Sequence, residues 1–209
     1  LINGVQKFQL TDHINKKNYK FSPHINGKHN LYNVAAAICV AIEENISIKN
    51  IAKGLNDFQG VGRRFELSKI YLADKSHVLI DDYGHHPTEI LSTILATKEK
   101  FPRKKICMIF EPHRYSRTQQ LFDDFVNVLS KVDCLLLLDI YPASEKPITG
   151  ISSKKIASQI SKNHKNVHYL GSQDPIEWRQ NNHQYFSILI TQGAGTISKL
   201  NNEIKKKWQ

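Results

Sequence analysis

Alternation between short apolar runs and helical segments is the feature that most restricts the fold of this 209-residue chain. Beyond about residue 62, strand-like runs rich in Ile, Leu, Val and Phe mostly alternate with stretches of helical periodicity. Strands joined through helices form mainly parallel sheets, because a parallel crossover needs a long connection. We therefore expect an α/β, Rossmann-like domain with a mainly parallel sheet and flanking helices.

The expected strands and helices follow from apolar periodicity and from breaker residues. Strands are expected at 65–72, 77–82, 105–110, 134–140, 167–170 and 187–191, and helices at 87–100, 116–131, 152–162, 174–181 and 196–207. Before them, 29–46 predicts a helix that is apolar on most sides and therefore buried, and 48–58 predicts a second helix. Gly60 and Gly62 suit a hinge, so we divide the chain into domains 1–61 and 62–209.

The first candidate site follows the apolar run 78–80, which changes abruptly to acids, a glycine, two histidines and Pro87. Ligands of open α/β sheets bind beyond the carboxyl ends of strands, and Pro87 suits the first position of a helix. The alternative is a turn whose acids and histidines, His86 among them, only cap backbone groups. A metal-dependent hydrolase built on the same acids and histidines has less support, since adjacent ligands rarely complete one coordination sphere.

The second candidate site follows the apolar run 106–110. Ser116 lies three residues before Gln119, which is the spacing of a helix cap. Arg114 and Arg117 would then lie at a helix start, where guanidinium groups suit a carboxylate or phosphate. The alternative is that both are surface arginines paired with two aspartates of the next turn.

Composition permits one large domain or slightly more, and 29 basic against 19 acidic residues give a net charge of +10. Such a charge favours anionic partners, so a basic module that binds nucleic acid or polyphosphate is the alternative function. Cys39, Cys107 and Cys134 lie in apolar stretches without metal-ligand spacing, which predicts buried thiols, no bound metal and a cytoplasmic protein. No apolar run is long enough to cross a membrane, so we expect no membrane partner.

Taken together, several motifs strongly resemble those of the Mur ligases of peptidoglycan synthesis, and the resemblance spans nearly the whole chain. The motifs lie in the expected order at residues 27–33, 58–66, 81–89, 111–118, 141–145 and 192–197. At 141–145 the sequence reads Tyr-Pro-Ala-Ser-Glu, with Ser144 where the family usually has glycine.

This resemblance implies an ATP-dependent ligase that joins L-alanine to UDP-N-acetylmuramate through an acyl phosphate, with Mg²⁺ assisting. It also implies that 1–61 is the carboxy-terminal portion of a central ATP-binding domain and that 62–209 is the carboxy-terminal domain. No Gly-x-x-x-x-Gly-Lys-Ser/Thr motif occurs in the sequence. We therefore expect amino-terminal domains of the same protein to supply the phosphate loop, and the fragment alone to be inactive.

The resemblance also implies the site residues. The nucleotide is expected at His29, Asn30 and Asn33 for the base, Asp82 for the ribose, and Arg64 for the terminal phosphate. L-Alanine is expected at Tyr83, His85, His113, Arg114 and Arg117, with His85 or His113 helping to deprotonate the amine. The alternatives are helix capping by Asn30, an ordinary salt bridge for Arg64 and a turn cap for Asp82.

Overall fold

The computed structural model describes residues 7–13, 16–23, 28–58, 61–72, 75–182 and 186–208. By its internal contacts the chain separates into two compact units, Leu1–Val61 and Gly62–Gln209. Each unit has its own hydrophobic core, so each is described by itself.

The first unit combines a hairpin with two helices. Strands β1 (Phe8–Asp12) and β2 (Lys17–Phe21) pair antiparallel, and helices α1 (Lys28–Glu43) and α2 (Ile48–Asp57) follow. Their core contains Phe21, Val34, Ile38 and Ile51. Ser47 caps α2, because its side chain accepts a hydrogen bond from the backbone N–H of Asn50.

Helix α1 is less buried than its sequence predicts. Among the side chains of α1 that the structure describes, only Val34 and Ile38 are buried, whereas 66% of Tyr32 and 63% of Val40 are exposed. Cys39 is exposed too, so the prediction of three buried thiols is wrong at this position and right at the other two. The reason is that one side of the helix packs against the core, whereas the opposite side packs against none of the described residues of this unit.

The second unit contains a six-stranded sheet with strand order β3-β4-β8-β5-β6-β7. Its strands are β3 (Glu66–Leu72), β4 (Lys75–Asp82), β5 (Ile106–Phe110), β6 (Cys134–Leu138), β7 (Val167–Gly171) and β8 (Ile188–Gln192). Its helices are α3 (Pro87–Lys100), α4 (Tyr115–Gln120), α5 (Phe122–Leu129), α6 (Ser153–Ile160), α7 (Pro175–Asn181) and α8 (Ile197–Trp208).

The expected α/β, Rossmann-like architecture is confirmed. Every residue of β5 and β8 is buried, because helices cover both faces of the sheet. Within this six-stranded sheet the strand pairs are parallel except β3 with β4, so the edge strand β3 is antiparallel.

One expected helix is two. The segment 116–131 forms α4 and α5, which meet at Leu121, where φ is −112° and ψ is 26°. Leu121 still packs against the core, so apolar spacing continues across a break in the backbone. Apolar periodicity reports the buried face and cannot reveal a change of helix axis.

Candidate functional site

The carboxyl-terminal ends of β4 and β5 lie at the same end of the parallel strands, on either side of the carboxyl-terminal end of β8. Asp82 of β4 and Phe110 of β5 both pair with Gln192, the last residue of β8. The two polar segments that follow β4 and β5 therefore begin as near neighbours. This is the crevice in which open α/β sheets bind ligands.

Four rings form a continuous row between these segments and the loop after β6. Ring centres are 5.5 Å apart for Tyr83 and His85, 5.6 Å for His85 and His113, and 5.3 Å for His113 and Tyr141. We call these four residues the ring row. The structure thus brings together three of the residues predicted for the amino-acid site and adds Tyr141 to them.

Two arginines lie against the Tyr83 end of the ring row. The Cζ atoms of Arg63 and Arg64 are 5.2 Å and 5.5 Å from the centre of the Tyr83 ring, which are cation–π distances. Arg63 is already bound, because its Nη2 donates to the Gly193 carbonyl at 2.6 Å and its Nε lies 3.3 Å from Asp81 Oδ2. Arg64 is exposed and makes no hydrogen bond or ion pair with the described residues, so its donors are free for an anion.

His85 is fixed by the start of α3. Its Nδ1 lies 3.3 Å from the Tyr83 carbonyl oxygen. The backbone N–H groups of His85 and His86 donate to Glu89 Oε2 at 2.9 Å and 3.0 Å, and the His86 ring accepts from the Thr88 N–H. This is a capping box, so of the roles open to His86 the structure shows the capping of the helix.

His113 is held by Arg117, one turn into α4. Arg117 Nη1 donates to the His113 carbonyl at 3.1 Å and lies 3.3 Å from His113 Nδ1. Burial lowers the pKa of His113, and the nearby charges of His85, Arg117 and Arg114 lower it further. The ring is therefore mainly neutral at pH 7.

We predict that NMR titration of His113 gives a midpoint below its ordinary pKa of 6.5. Because the folded state favours the neutral ring, this contribution to stability is complete above pH 6.5 and is lost as pH falls through the lowered pKa. Arg117→Gln should move the midpoint part of the way back, since burial is the larger cause. A midpoint at or above 6.5 in the unsubstituted protein would contradict the geometry.

Arg114 has an unusual backbone, with φ 76° and ψ 136°. Its N–H donates to the Tyr141 carbonyl at 2.8 Å. Ser116 does not cap the helix as predicted, because α4 already begins at Tyr115. Instead, the Ser116 N–H and hydroxyl donate to the Glu145 carboxylate at 2.9 Å and 2.6 Å.

Glu145 also forms an ion pair with Arg114, whose Nη1 lies 4.0 Å from Glu145 Oε1. The expected alternative, pairing with aspartates of the next turn, is wrong for this arginine. Glu145 reaches α4 from a loop in which Ala143 and Ser144 have φ of 48° and 71°. Glycine adopts this left-handed conformation most readily, so the backbone at Ser144 suits the glycine that the resemblance leads us to expect there. Serine keeps the same turn here.

Asp82 is buried, and its own chain uses most of its acceptor capacity. Oδ2 accepts the Phe65 N–H at 2.9 Å, and Oδ1 accepts the Gly84 N–H at 2.9 Å and Gln192 Nε2 at 2.7 Å. A carboxylate has about four acceptor positions, so one remains. These contacts agree with the turn-cap alternative, and a role in ribose binding stays a prediction.

The glycine-containing loop after β8 is closed by a carboxylate of the same chain. Glu111 accepts the Thr196 hydroxyl at 2.5 Å and the Ile197 N–H at 3.0 Å, at the start of α8. A Cβ on Gly195 would lie 2.5 Å from Glu111 Oε2, so glycine is required by this close approach. The interpretation of these glycines as structural is therefore confirmed.

A sequence model of the family described as "Mur ligase, glutamate ligase domain" matches residues 63–191. The match covers more than half of the chain and contains the whole ring row. The chain belongs to the Mur ligase family.

Solved structures agree with this assignment at the level of the fold. The UDP-N-acetylmuramate-alanine ligase of Thermotoga maritima matches with a TM-score of 0.75 and 22% identity, over 98% of this chain and 43% of that one. A murein peptide ligase of Psychrobacter arcticus gives 0.69 and 21%, over 99% and 42%. A MurF ligase of Thermotoga maritima in complex with ADP gives 0.65 and 16%, over 99% and 45%. This Mur ligase chain thus spans less than half the length of each of these proteins.

The residues predicted for the nucleotide base lie in the first unit of this Mur ligase chain, at the start of α1. Asn33 Nδ2 donates to Asn30 Oδ1 at 3.4 Å. The helix begins at Lys28, so Asn30 lies inside the first turn and is not its N-cap. The side chain of His29 lies outside the described residues.

Sequence reasoning gave no role to three residues that shape the Mur ligase site, Arg63, Tyr141 and Glu145, although all three lie in motifs that carry the resemblance. The spacing of His86 and Glu89 is that of a capping box and could have revealed the fixed start of α3. The motif 141–145 contains Glu145, but no local signal reveals its partner, because Ser116 is 29 positions away.

The described residues contain no group of three or more His, Cys, Asp or Glu side chains suited to holding a metal ion. A separate finding concerns membranes: no helix in the described part of the chain has the length and apolar character to span one.

Proposed function

We propose that this chain is the carboxy-terminal part of an ATP-dependent, cytoplasmic ligase that joins L-alanine to UDP-N-acetylmuramate in peptidoglycan synthesis. The observation that carries the proposal is the ring row with its flanking arginines, on the crevice edge of a Mur ligase domain. Amino-terminal domains of the same protein would supply the phosphate loop and the site for the UDP-sugar.

The chemistry of such a ligase suits the residues present. ATP converts the carboxylate of UDP-N-acetylmuramate into an acyl phosphate, the amine of L-alanine attacks its carbonyl carbon, and inorganic phosphate leaves. No protein nucleophile is needed, so the protein contributes positioning and positive charge. Arginines and histidines in the crevice meet that need.

L-Alanine carries one carboxylate, one ammonium group and a methyl group. We place its carboxylate at Arg117, whose Nη1 donates to the carbonyl and Nδ1 of His113, while its Nε and Nη2 have no hydrogen-bond partner among the described residues. A guanidinium fork holds a carboxylate by two parallel hydrogen bonds. The ammonium group would then lie between His85 and His113.

The proposed nucleotide contacts rest on the donor and acceptor groups of individual side chains. Arg64 has a free, exposed guanidinium beside Tyr83 that fits the terminal phosphate. Asp82 retains one acceptor position for a ribose hydroxyl, whereas Asn30 and Asn33 offer amide groups for an adenine edge. Mg²⁺ would be bound by the part of the protein that precedes this chain.

The test is to restore the preceding domains and measure release of inorganic phosphate. We expect release that requires ATP, UDP-N-acetylmuramate and L-alanine together, and none from residues 1–209 alone. Release with a murein peptide but not with free L-alanine would overturn the proposed substrate while leaving the family intact.

The nucleic-acid alternative is tested on the same preparation. Part of the positive charge is neutralised within the fold, as by the ion pair of Lys205 Nζ with Glu66 Oε1 at 2.6 Å. Tight, salt-dependent binding of DNA or RNA without any substrate-dependent phosphate release would favour that alternative.

A further inference from the structure

The two central histidines of the ring row differ in which ring nitrogen can carry the proton. For His85, Nδ1 lies 3.3 Å from the Tyr83 carbonyl oxygen and 3.8 Å from Glu89 Oε2. The Tyr83 carbonyl oxygen can only accept a hydrogen bond. The Glu89 carboxylate also accepts near neutral pH, because its pKa is lowered: burial raises the pKa, but the N–H groups of His85 and His86 outweigh that effect. The neutral His85 ring therefore carries its proton on Nδ1 and leaves a lone pair on Nε2.

For His113 the arrangement is reversed. Its Nδ1 lies 3.3 Å from Arg117 Nη1, and a guanidinium can only donate. Nδ1 must therefore accept, which places the proton of the neutral ring on Nε2. Neither Nε2 atom has a hydrogen-bond partner among the described residues, and the ring centres are 5.6 Å apart. At this separation one small ligand can reach both rings.

We propose that His85 is the general base of the reaction, taking a proton from the substrate ammonium at Nε2, and that His113 is a hydrogen-bond donor through its Nε2–H. This assignment rests on the proposed function. It deepens that function because the sequence left open which histidine, if either, removes the proton.

The proton balance is complete with these groups. The ammonium N–H bond breaks and its proton joins His85 Nε2, leaving an amine with a free electron pair. The amine attacks the acyl carbon, so that the C–N bond forms and the bond from carbon to the phosphate oxygen breaks. The adduct nitrogen loses its second proton to the departing phosphate, and His85 returns its own proton to solvent.

The surroundings of each ring favour these roles. Glu89 and the Tyr83 carbonyl face the Nδ1–H side of His85, so both hold the ring with Nε2 as its acceptor nitrogen. His113 faces Arg117 and Arg114, and these positive charges oppose its protonation. The Nε2–H of His113 is thus suited to an anionic oxygen of the bound substrates.

The sharpest test is a matched pair of glutamine variants in the intact enzyme. A glutamine amide nitrogen can take the place of Nε2 and can donate a hydrogen bond, yet it cannot accept a proton at neutral pH. We expect kcat to fall about 10²- to 10⁴-fold for His85→Gln, the usual contribution of a general base. His113→Gln should stay within about tenfold of the unsubstituted enzyme, because a hydrogen-bond donor is retained.

Every other pattern overturns the assignment: the reverse ranking, a large loss in both variants, or a small loss in both. If the unsubstituted enzyme itself shows no L-alanine-dependent release of phosphate, the proposed function fails instead. A second readout needs no activity. Long-range ¹H–¹⁵N NMR of the intact protein at neutral pH should place the proton of His85 on Nδ1 and that of His113 on Nε2, and the opposite tautomers would refute the inference.

Discussion

Gly84→Ala is expected to lower the free energy of unfolding of the second unit by about 3 kcal/mol or more, from overpacking together with damaged buried hydrogen bonds. A Cβ there would lie 2.5 Å from Gln192 Nε2, 2.7 Å from Asp82 Oδ1 and 2.9 Å from Glu89 Cβ. These groups hold the turn that starts the ring row. In the intact protein, ligase activity should therefore be lost together with stability. Phosphate release measures the activity, and urea unfolding measures the stability.

Gly62→Ala is the matched control for that substitution. Its Cβ would meet only Glu66 Oε2, at 3.7 Å, which is an ordinary contact. We expect the unfolding midpoint to change little. Equal stability of the Gly84 and Gly62 variants would show that the turn after β4 is not as tightly packed as described.

Arg117→Ala in the intact ligase should raise the KM for L-alanine by about 10- to 100-fold, since a hydrogen bond to a charged group contributes about 1.5–3 kcal/mol. The KM for ATP should change little, because the nucleotide is proposed to bind at other residues. Initial rates at varied L-alanine with saturating ATP measure the first effect, and initial rates at varied ATP with saturating L-alanine measure the second. Arg117→Lys should recover only part of the loss, because a lysine cannot form the two-pronged contact.

Arg103→Ala is the control for loss of one positive charge. Arg103 is exposed and lies in the loop before β5. This loop is at the amino-terminal ends of the parallel strands, whereas the ring row is at their carboxyl-terminal ends. Its substitution should leave the KM for L-alanine unchanged. An equal increase in both variants would mean that net charge, rather than a local contact, determines the affinity.

The parts of the fold that were predicted correctly are those set by local sequence. The continuous apolar runs of β5 and β8 predict strands buried on both faces, and a parallel sheet follows from the helices between them. The start of the predicted helix 174–181 is also correct, since Asp174 caps α7 by accepting the Ile176 N–H two residues away. In each case the deciding groups are near neighbours along the chain.

The failures come from partners that are distant in sequence. Ser116 has the spacing of a cap, but Glu145 binds its N–H and hydroxyl from 29 residues away, and the helix starts earlier. The apolar sequence of α1 predicts burial, yet Tyr32 and Val40 are exposed because burial depends on what packs against a helix. Likewise, sequence placed His85 and His113 in one site, whereas only the positions of Tyr83 and Arg117 distinguish their tautomers.

The most direct test of the central claim is a crystal structure of the intact protein with a non-hydrolysable ATP analogue and L-alanine. We predict that the alanine carboxylate lies within hydrogen-bond distance of the Arg117 guanidinium and that the nitrogen lies beside Nε2 of His85. Alanine bound away from the ring row, with Arg117 and His85 in contact only with solvent, would contradict the account.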